Sequence, residues 1–319
     1  MSRQSAPSKP DFRPLVLPAA PGSVRRISGV MGITRRVLLL LWGASTLLTF
    51  GLVVLGGFVT STDSGFGCGA NWPDCRGQWL PPGTFHGDVE WSHRVVAGVV
   101  SVLVVAAVYA TLRYSRNKWA RRLSWLAVFL LLAQVALGAA IVLNGIPAGV
   151  VAVHDGVATA FLATLMVEAL LAGRDGARLL ERAGVPILWA AAGVAWVTVM
   201  MGSYLAHLDL PVPALWAGVR ILGIAEGSYA GLWHWLLGAL LIGLAVAAFL
   251  GRRRLPAGTA PYLVAGFLTV VVQALLGMLL VASHLAEAVL AIHEAVGVAA
   301  TVLLTAAAVR ATNQTEGSP

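Results

Sequence analysis

Eight apolar runs, each long enough to cross a lipid bilayer, are the feature that most constrains how this chain of 319 residues folds. A bilayer core of about 30 Å is crossed by roughly 20 residues of α-helix. Charged residues make up only 11% of the chain, whereas soluble domains carry about 25%. We therefore predict an all-α polytopic membrane protein with spans at 37–59, 93–112, 123–143, 149–172, 185–206, 230–250, 260–282 and 288–309.

The positions of the basic residues predict the orientation of these spans. The net charge is +8, but 19 of the 22 lysines and arginines fall in segments on one side of the predicted bundle. Only Arg76, Arg94 and Arg220 fall on the other side. Basic loops favour the cytoplasmic face with its anionic lipids. The pattern therefore predicts a multi-pass protein of the cell membrane with both termini in the cytoplasm, and it argues against a nucleic-acid partner.

The chain also repeats itself. In two blocks, Gln134 to His154 and Gln273 to His293, a glutamine and a histidine are 20 residues apart, with a glycine four residues after the glutamine. Two copies of a four-helix unit explain this pattern, and an even number of spans per copy predicts a parallel repeat. The predicted organisation is a disordered cytoplasmic tail over 1–36, a four-helix unit over 37–172, a second unit over 185–310 and a cytoplasmic tail over 311–319.

Four histidines occupy one predicted depth near the outer face: His93, His154, His234 and His293. Each lies 17 to 20 residues from the next arginine on the inner side, which corresponds to roughly 25–30 Å of helix. A single interfacial histidine is usually hydrogen-bonded to a nearby carbonyl. Four at matching depth, two in each repeat, instead favour bis-histidine haem binding.

Zinc is a weaker alternative for these histidines, because no cysteine or second histidine lies within one helical turn of any of them. His86, His207 and His284 fall in or beside outer loops and lack the repeat relation. We interpret those three as solvated or interfacial side chains.

Glu90 and Arg94 flank His93 in the segment Glu90-Trp-Ser-His-Arg94. Glu90 is one helical turn from His93, and Gly231 takes the equivalent place before His234. This asymmetry predicts that the first unit is reactive and the second only carries electrons. A first-turn acid favoured by the helix dipole remains an alternative for Glu90. Arg94 is a candidate contact for a haem propionate, or an arginine extending to water.

Cys68 and Cys75 lie in the first outer loop. The outer side of a cell membrane is oxidising, so a disulfide between them is expected. It would act either as a structural staple of the loop or as a thiol pair that cycles during catalysis.

At these residues the sequence resembles the haem A synthase family. The resemblance rests on four segments: Gly56-Gly-Phe-Val-Thr-Ser-Thr-Asp-Ser-Gly65, Trp72-Pro-Asp-Cys75, Glu90-Trp-Ser-His-Arg94 and the two Gln…Gly…His blocks. It implies a fold of two related four-helix bundles. It also implies oxidation of a methyl group of haem O to the formyl group of haem A.

The resemblance implies a role for each candidate residue. His234 and His293 would ligate the iron of haem b as cofactor, and His93 and His154 would hold haem O, with Glu90 in catalysis. The implied partners are the enzyme that produces haem O and the assembly of terminal oxidases. Many members carry a second cysteine pair in the next outer loop, whereas 207–229 has no cysteine here.

Two other function classes fit part of the pattern. A membrane cytochrome b that relays electrons would explain the histidines, but not Glu90 on one side only, nor the cysteine pair. It would usually stack its haems across the membrane. A haem exporter would bind haem at the outer face without chemistry, and broken mid-membrane helices would favour it.

Overall fold

The computed structural model describes residues 21–172, 178–179, 184–208, 228–283 and 286–314. Within those ranges the chain forms eight long α-helices: α1 Pro21–Ser61, α2 Phe85–Tyr114, α3 Lys118–Leu143, α4 Ala148–Leu171, α5 Val185–Ala206, α6 Ser228–Leu250, α7 Ala260–Ala282 and α8 Glu287–Thr312. The other described elements are short 3-10 turns and an antiparallel pairing of the two-residue strands β1 Arg178–Leu179 and β2 Asn313–Gln314.

The eight predicted spans are confirmed as helices that can cross a membrane by length and composition. Their outward surface is apolar: Leu40, Leu47 and Val102 each expose more than two thirds of their surface. Such a surface suits lipid rather than water. The chain is thus an all-helical, polytopic membrane protein.

The helix α1 begins before its predicted span. It starts at Pro21, so residues 21–36 are helical where the sequence predicted a disordered tail, and its span-like part is Arg35–Ser61. Val24, Ile27 and Met31 recur at helical spacing on either side of Arg25 and Arg26, a periodicity that the polar composition of the segment obscures. The predicted tail residues 1–20 and 315–319 lie outside the described residues.

The packing order of the helices determines where the histidines lie. Each helix packs against its neighbour in sequence, and at the centre α8 also packs against α1, α4 and α5, and α1 against α4. His154 and His293 are therefore on central helices, whereas His93 and His234 are on α2 and α6, which flank that centre. The helix α2 begins eight residues before His93, so Glu90 is inside the helix as predicted.

Candidate functional site

Each of the four predicted histidine ligands packs against a glycine on the preceding helix. A Cβ atom built on these glycines would lie 3.0 to 3.7 Å from an imidazole atom, in the pairs Gly56–His93, Gly138–His154, Gly202–His234 and Gly277–His293. The rings therefore occupy the space that a side chain would fill. At Gly202 and Gly277 the approach is tighter than an ordinary Cβ contact, so these two positions favour glycine, whereas the distances at Gly56 and Gly138 are ordinary van der Waals contacts.

Three of these histidines keep a buried ring nitrogen without a hydrogen-bond partner. Among the described residues, the Nδ1 atoms of His154, His234 and His293 are buried and unpaired. An unpaired buried polar atom costs about 1–3 kcal/mol, and most such atoms in folded proteins have partners. Unpaired imidazole nitrogens in repeat-related positions are suited to a metal that binds there.

The His234–His293 pair has the spacing of two axial ligands. Their ring centres are 6.5 Å apart and the ring planes are inclined by 58°. With a metal–nitrogen bond of about 2 Å and about 1 Å from nitrogen to ring centre, two imidazoles on one metal have centres about 6 Å apart. Among the described residues, no group of three or more His, Cys, Asp or Glu could hold a metal ion. Two axial histidines with the other ligands supplied by a porphyrin fit this arrangement.

Two glutamines form polar contacts with the histidines of the central helices. Gln134 Nε2 donates to the backbone carbonyl of His154 over 2.8 Å. Gln273 Nε2 lies 3.0 Å from His293 Nε2. The 20-residue spacing in the sequence thus corresponds to a direct contact between adjacent helices in both blocks, although the contacted atom differs.

Glu90 is buried at the junction of α2 and the loop between α1 and α2. Its Oε2 accepts a hydrogen bond from the backbone N–H of Cys68 over 2.7 Å, and its Oε1 pairs with Nη2 of Arg94. The partner in the loop was not predicted from the sequence, because nothing local relates positions 68 and 90. The carboxylate thus links the disulfide loop to the turn that carries His93.

Arg94 anchors the same loop. Its Nη1 donates to the backbone carbonyls of Asn71 over 2.9 Å, Pro73 over 3.2 Å and Asp74. The side chain is therefore held by protein atoms rather than extended to water. Its contact with a haem propionate stays a prediction.

The structure joins Cys68 and Cys75 in the predicted disulfide, with both cysteines fully buried. The bond closes a short loop whose first residue is hydrogen-bonded to Glu90. The backbone of the disulfide loop is therefore in direct contact with the Glu90 carboxylate.

We expect the cysteine pair to be oxidised in the isolated protein. Alkylation without reductant followed by mass spectrometry should yield one unmodified, linked peptide pair, because the two sulfur atoms are bonded and shielded from solvent. Prior reduction in denaturant should add two alkyl groups. Two alkylated thiols in the unreduced sample would contradict the assignment.

Two of the other three histidines have hydrogen-bond partners within the described residues. His86 Nδ1 lies 3.1 Å from Ser64 Oγ, and His207 Nδ1 lies 2.9 Å from the backbone carbonyl of Ser203. His284 lies outside the described residues. His86 and His207 therefore differ from the four histidines that face glycines.

Asp155 and Glu294 are half-buried acids to which the sequence assigned no role. Each directly follows a predicted ligand, and Asp155 accepts a hydrogen bond from Ser203 Oγ. A Cβ on Gly57 of α1 would lie 2.9 Å from Glu294 Oε2, so this carboxylate lies against α1. The sequence did contain a pattern that marks these two acids, because the histidine of each repeat block is directly followed by an acidic residue.

Comparison with known proteins shows one family. A model of the cytochrome oxidase assembly protein family COX15-CtaA matches residues 39–87 and 85–218. This range includes Cys68, Cys75, Glu90, His93 and His154, and ends before His234.

Curated relatives of this chain share one name, Heme A synthase. The protein from Halalkalibacterium halodurans is 29% identical over 66% of this chain and 75% of its own length. That from Lysinibacillus sphaericus is 40% identical over 38% of this chain and 40% of its own. That from Symbiobacterium thermophilum is 32% identical over 52% of this chain and 58% of its own. The chain thus aligns with three quarters of the first relative and with about half of the other two.

Proposed function

The chain belongs to the COX15-CtaA family of cytochrome oxidase assembly proteins, and we propose that it is a haem A synthase, a membrane oxidoreductase that converts a methyl group of haem O into the formyl group of haem A. Relatives named Heme A synthase support this activity. The observation that carries it is the buried carboxylate of Glu90, which lies one turn from His93 and is tied to the disulfide loop. Such an acid beside an iron ligand has no counterpart before His234.

The fold that accompanies this function is a pair of related four-helix units, α1–α4 and α5–α8, with both termini in the cytoplasm. The recurrence of one glycine–histidine contact in all four helix pairs supports the relation. The concentration of basic residues in the segments on one side supports the orientation.

His234 and His293 hold haem b in the second unit. Their ring spacing of 6.5 Å and their unpaired Nδ1 atoms support this assignment. The haem supplies one-electron transfer when bound, and Gly202 and Gly277 leave room for the rings. The position that corresponds to Glu90 is Gly231, which has no acidic group. A unit that only carries electrons needs no such group.

Enlarging the glycine behind His234 should displace this ligand. A Cβ on Gly202 would lie 3.0 Å from His234 Cε1, so Gly202→Val should lower the haem b content of purified protein several-fold. Gly193→Val on the same helix is the matched control, since nothing lies within 4 Å of a Cβ there. Absorption spectra at equal protein concentration measure the difference. Equal haem content in both variants would contradict the role of Gly202.

His93 and His154 hold haem O as substrate in the first unit. Glu90 then holds or takes up a proton at a carboxylate oxygen, or stabilises positive charge that develops at the methyl carbon. The Cys68 amide and Arg94 fix the position of the carboxylate before the substrate arrives. The oxidation passes through hydroxylated haem. An enzyme that makes haem O would supply the substrate, and terminal oxidase assembly would take up the product.

The rival functions lack support from the same residues. An electron-relaying cytochrome b would need neither the Glu90 network nor the disulfide beside it. A haem exporter would be favoured by broken mid-membrane helices. Each of the eight spans is instead one continuous helix over the residues that the structure describes.

Extraction of the pigments bound to purified protein tests the proposal. We expect haem b together with haem A or a hydroxylated haem, identified by chromatography and mass spectrometry. Haem b alone, from cells that contain haem O, would favour the electron relay and contradict the synthase assignment.

A further inference from the structure

The inner half of the first unit contains a buried carboxyl group that the proposed reaction does not use. Glu168 on α4 is 1% exposed, and its Oε1 accepts a hydrogen bond from Ser124 Oγ on α3 over 2.9 Å. Nearby on the inner side, Trp42 Nε1 of α1 donates to Thr111 Oγ1 of α2 over 2.9 Å. All four helices of the unit thus contribute a polar group to its interior.

Two hydroxyl groups extend this polar interior along α1. Ser45 and Thr49 are 0% and 3% exposed, and their oxygen atoms have no hydrogen-bond partner among the described residues. Buried polar atoms without a protein partner are commonly satisfied by ordered water. Two such hydroxyls one helical turn apart therefore indicate bound water inside the unit.

Ser45 and Thr49 lie on the face of α1 that leads to the proposed substrate site. Ser45, Thr49 and Gly56 fall on one face of α1 because their spacings of four and seven residues approximate whole helical turns. Gly56 is the glycine behind His93, and Thr49 lies about 10 Å from it along the helix axis. Glu168 lies on the face of α4 that carries His154, about 21 Å further in. The polar groups thus lie between the inner end of the unit and its histidines.

The second unit is apolar at the positions that correspond to five of these polar residues. Gly56 and Gly202 are 146 residues apart, and the same offset takes Trp42, Ser45 and Thr49 to Leu188, Ala191 and Ala195. His154 and His293 are 139 residues apart, and that offset takes Ser124 and Glu168 to Leu263 and Ala307. All five of these apolar residues are buried. The fold therefore tolerates apolar side chains at these five positions, and polar side chains occupy them only in the unit that the proposed function makes reactive.

An ionisable side chain inside a membrane bundle is costly, and where it occurs it usually serves a pathway or a relay. Ala307 shows that a small apolar side chain suits the equivalent place in this fold. Glu168 is therefore poorly explained by packing alone. Oxidation of a methyl carbon to a formyl carbon exchanges protons with the surroundings, so the reactive unit has a use for a proton path that the haem b unit lacks.

We propose that Glu168, Ser124, Ser45 and Thr49 form, with bound water, a proton path between the cytoplasmic side and the substrate haem site, an inference that rests on the proposed function and orientation. The Glu168 carboxyl group takes up or releases a proton while the Ser124 hydroxyl keeps it oriented. The Ser45 and Thr49 hydroxyls order the water that continues the path along α1.

Infrared spectroscopy tests the path without turnover. In purified protein containing its haem, we expect a protonated carboxyl band that is absent from Glu168→Gln and that shifts when the buffer is changed to D2O, because water reaches the group. A Glu168 band that does not shift, or the same spectrum in both proteins, would overturn the proposal. This result is independent of haem A synthesis, so it separates failure of the path from failure of the proposed function.

Turnover variants provide the second test. We expect Glu168→Ala to leave protein yield and haem b content unchanged and to lower haem A formation at least tenfold, with partial recovery in Glu168→Asp. Loss of folded protein in Glu168→Ala, with normal turnover in what remains, would show a structural role instead.

A matched pair of hydroxyl variants locates the path on α1. Ser45→Ala combined with Thr49→Ala should lower turnover several-fold, because it removes the two unpaired hydroxyls. Thr46→Ala should have no effect, since its hydroxyl bonds to the carbonyl of Trp42 in its own helix. Equal effects of the two changes, or none from either, would contradict a path along this face.

Discussion

Replacing Glu90 with glutamine should abolish most haem A formation while the protein still folds and binds haem b. The substitution keeps the size of the side chain and a carbonyl oxygen that can accept from the Cys68 amide, but it removes the charge that pairs with Arg94. Proton transfer by a positioned side chain contributes about 10²–10⁴-fold to rate. Chromatography of extracted haems should therefore show haem O, or a hydroxylated intermediate, in place of haem A.

Asp88→Asn is the matched control for this change. Asp88 is in the first turn of the same helix, and its carboxylate accepts a hydrogen bond from Gly83 N over 2.9 Å at the exposed surface. A carboxylate that only favours the helix start is worth about 0.3–1 kcal/mol, so this variant should retain normal turnover. If Glu90→Gln also makes haem A at the normal rate, Glu90 is a structural link between loop and helix.

Substituting alanine for His234 or His293 should remove the low-spin haem b spectrum. Each change deletes one of two imidazoles whose centres are 6.5 Å apart, so the two residues that would hold the haem are reduced to one. We expect at least a tenfold loss of bis-histidine haem per protein in reduced-minus-oxidised spectra. His207→Ala is the control, because that ring bonds to the Ser203 carbonyl and faces none of the four glycines. Full haem b in both variants would show that the wrong pair was assigned.

The membrane spans were predictable because a bilayer imposes one length on every apolar run. The ends were less predictable: α2 begins at Phe85, although its apolar run starts near His93, because a polar first turn still forms helix at the interface. The start of α1 at Pro21 was missed for the same reason, because its first residues are polar and lie outside the apolar run.

The candidate site was predictable where it repeats. The spacing from Gln134 to His154 and from Gln273 to His293 reflects contacts between adjacent helices, so it is visible in one dimension. The pairing of Gly56 with His93 depends on how α1 packs against α2, and no repeated block marks it.

The loop contacts were the least predictable part of the site. The hydrogen bond from Cys68 to Glu90 and the three carbonyls around Arg94 depend on the path of an irregular segment, for which periodicity gives no information. The disulfide was expected from the chemistry of the outer compartment, but its connection to Glu90 was not.

Haem analysis of cells that make haem O, with and without this chain, tests the central claim most directly. The account predicts that haem A appears only when the chain is present. His93→Ala removes a proposed ligand of the substrate haem, so cells with this variant should contain as much haem O as cells that lack the chain. If haem O is unchanged in cells that contain the folded chain with its haem b, the chain does not synthesise haem A.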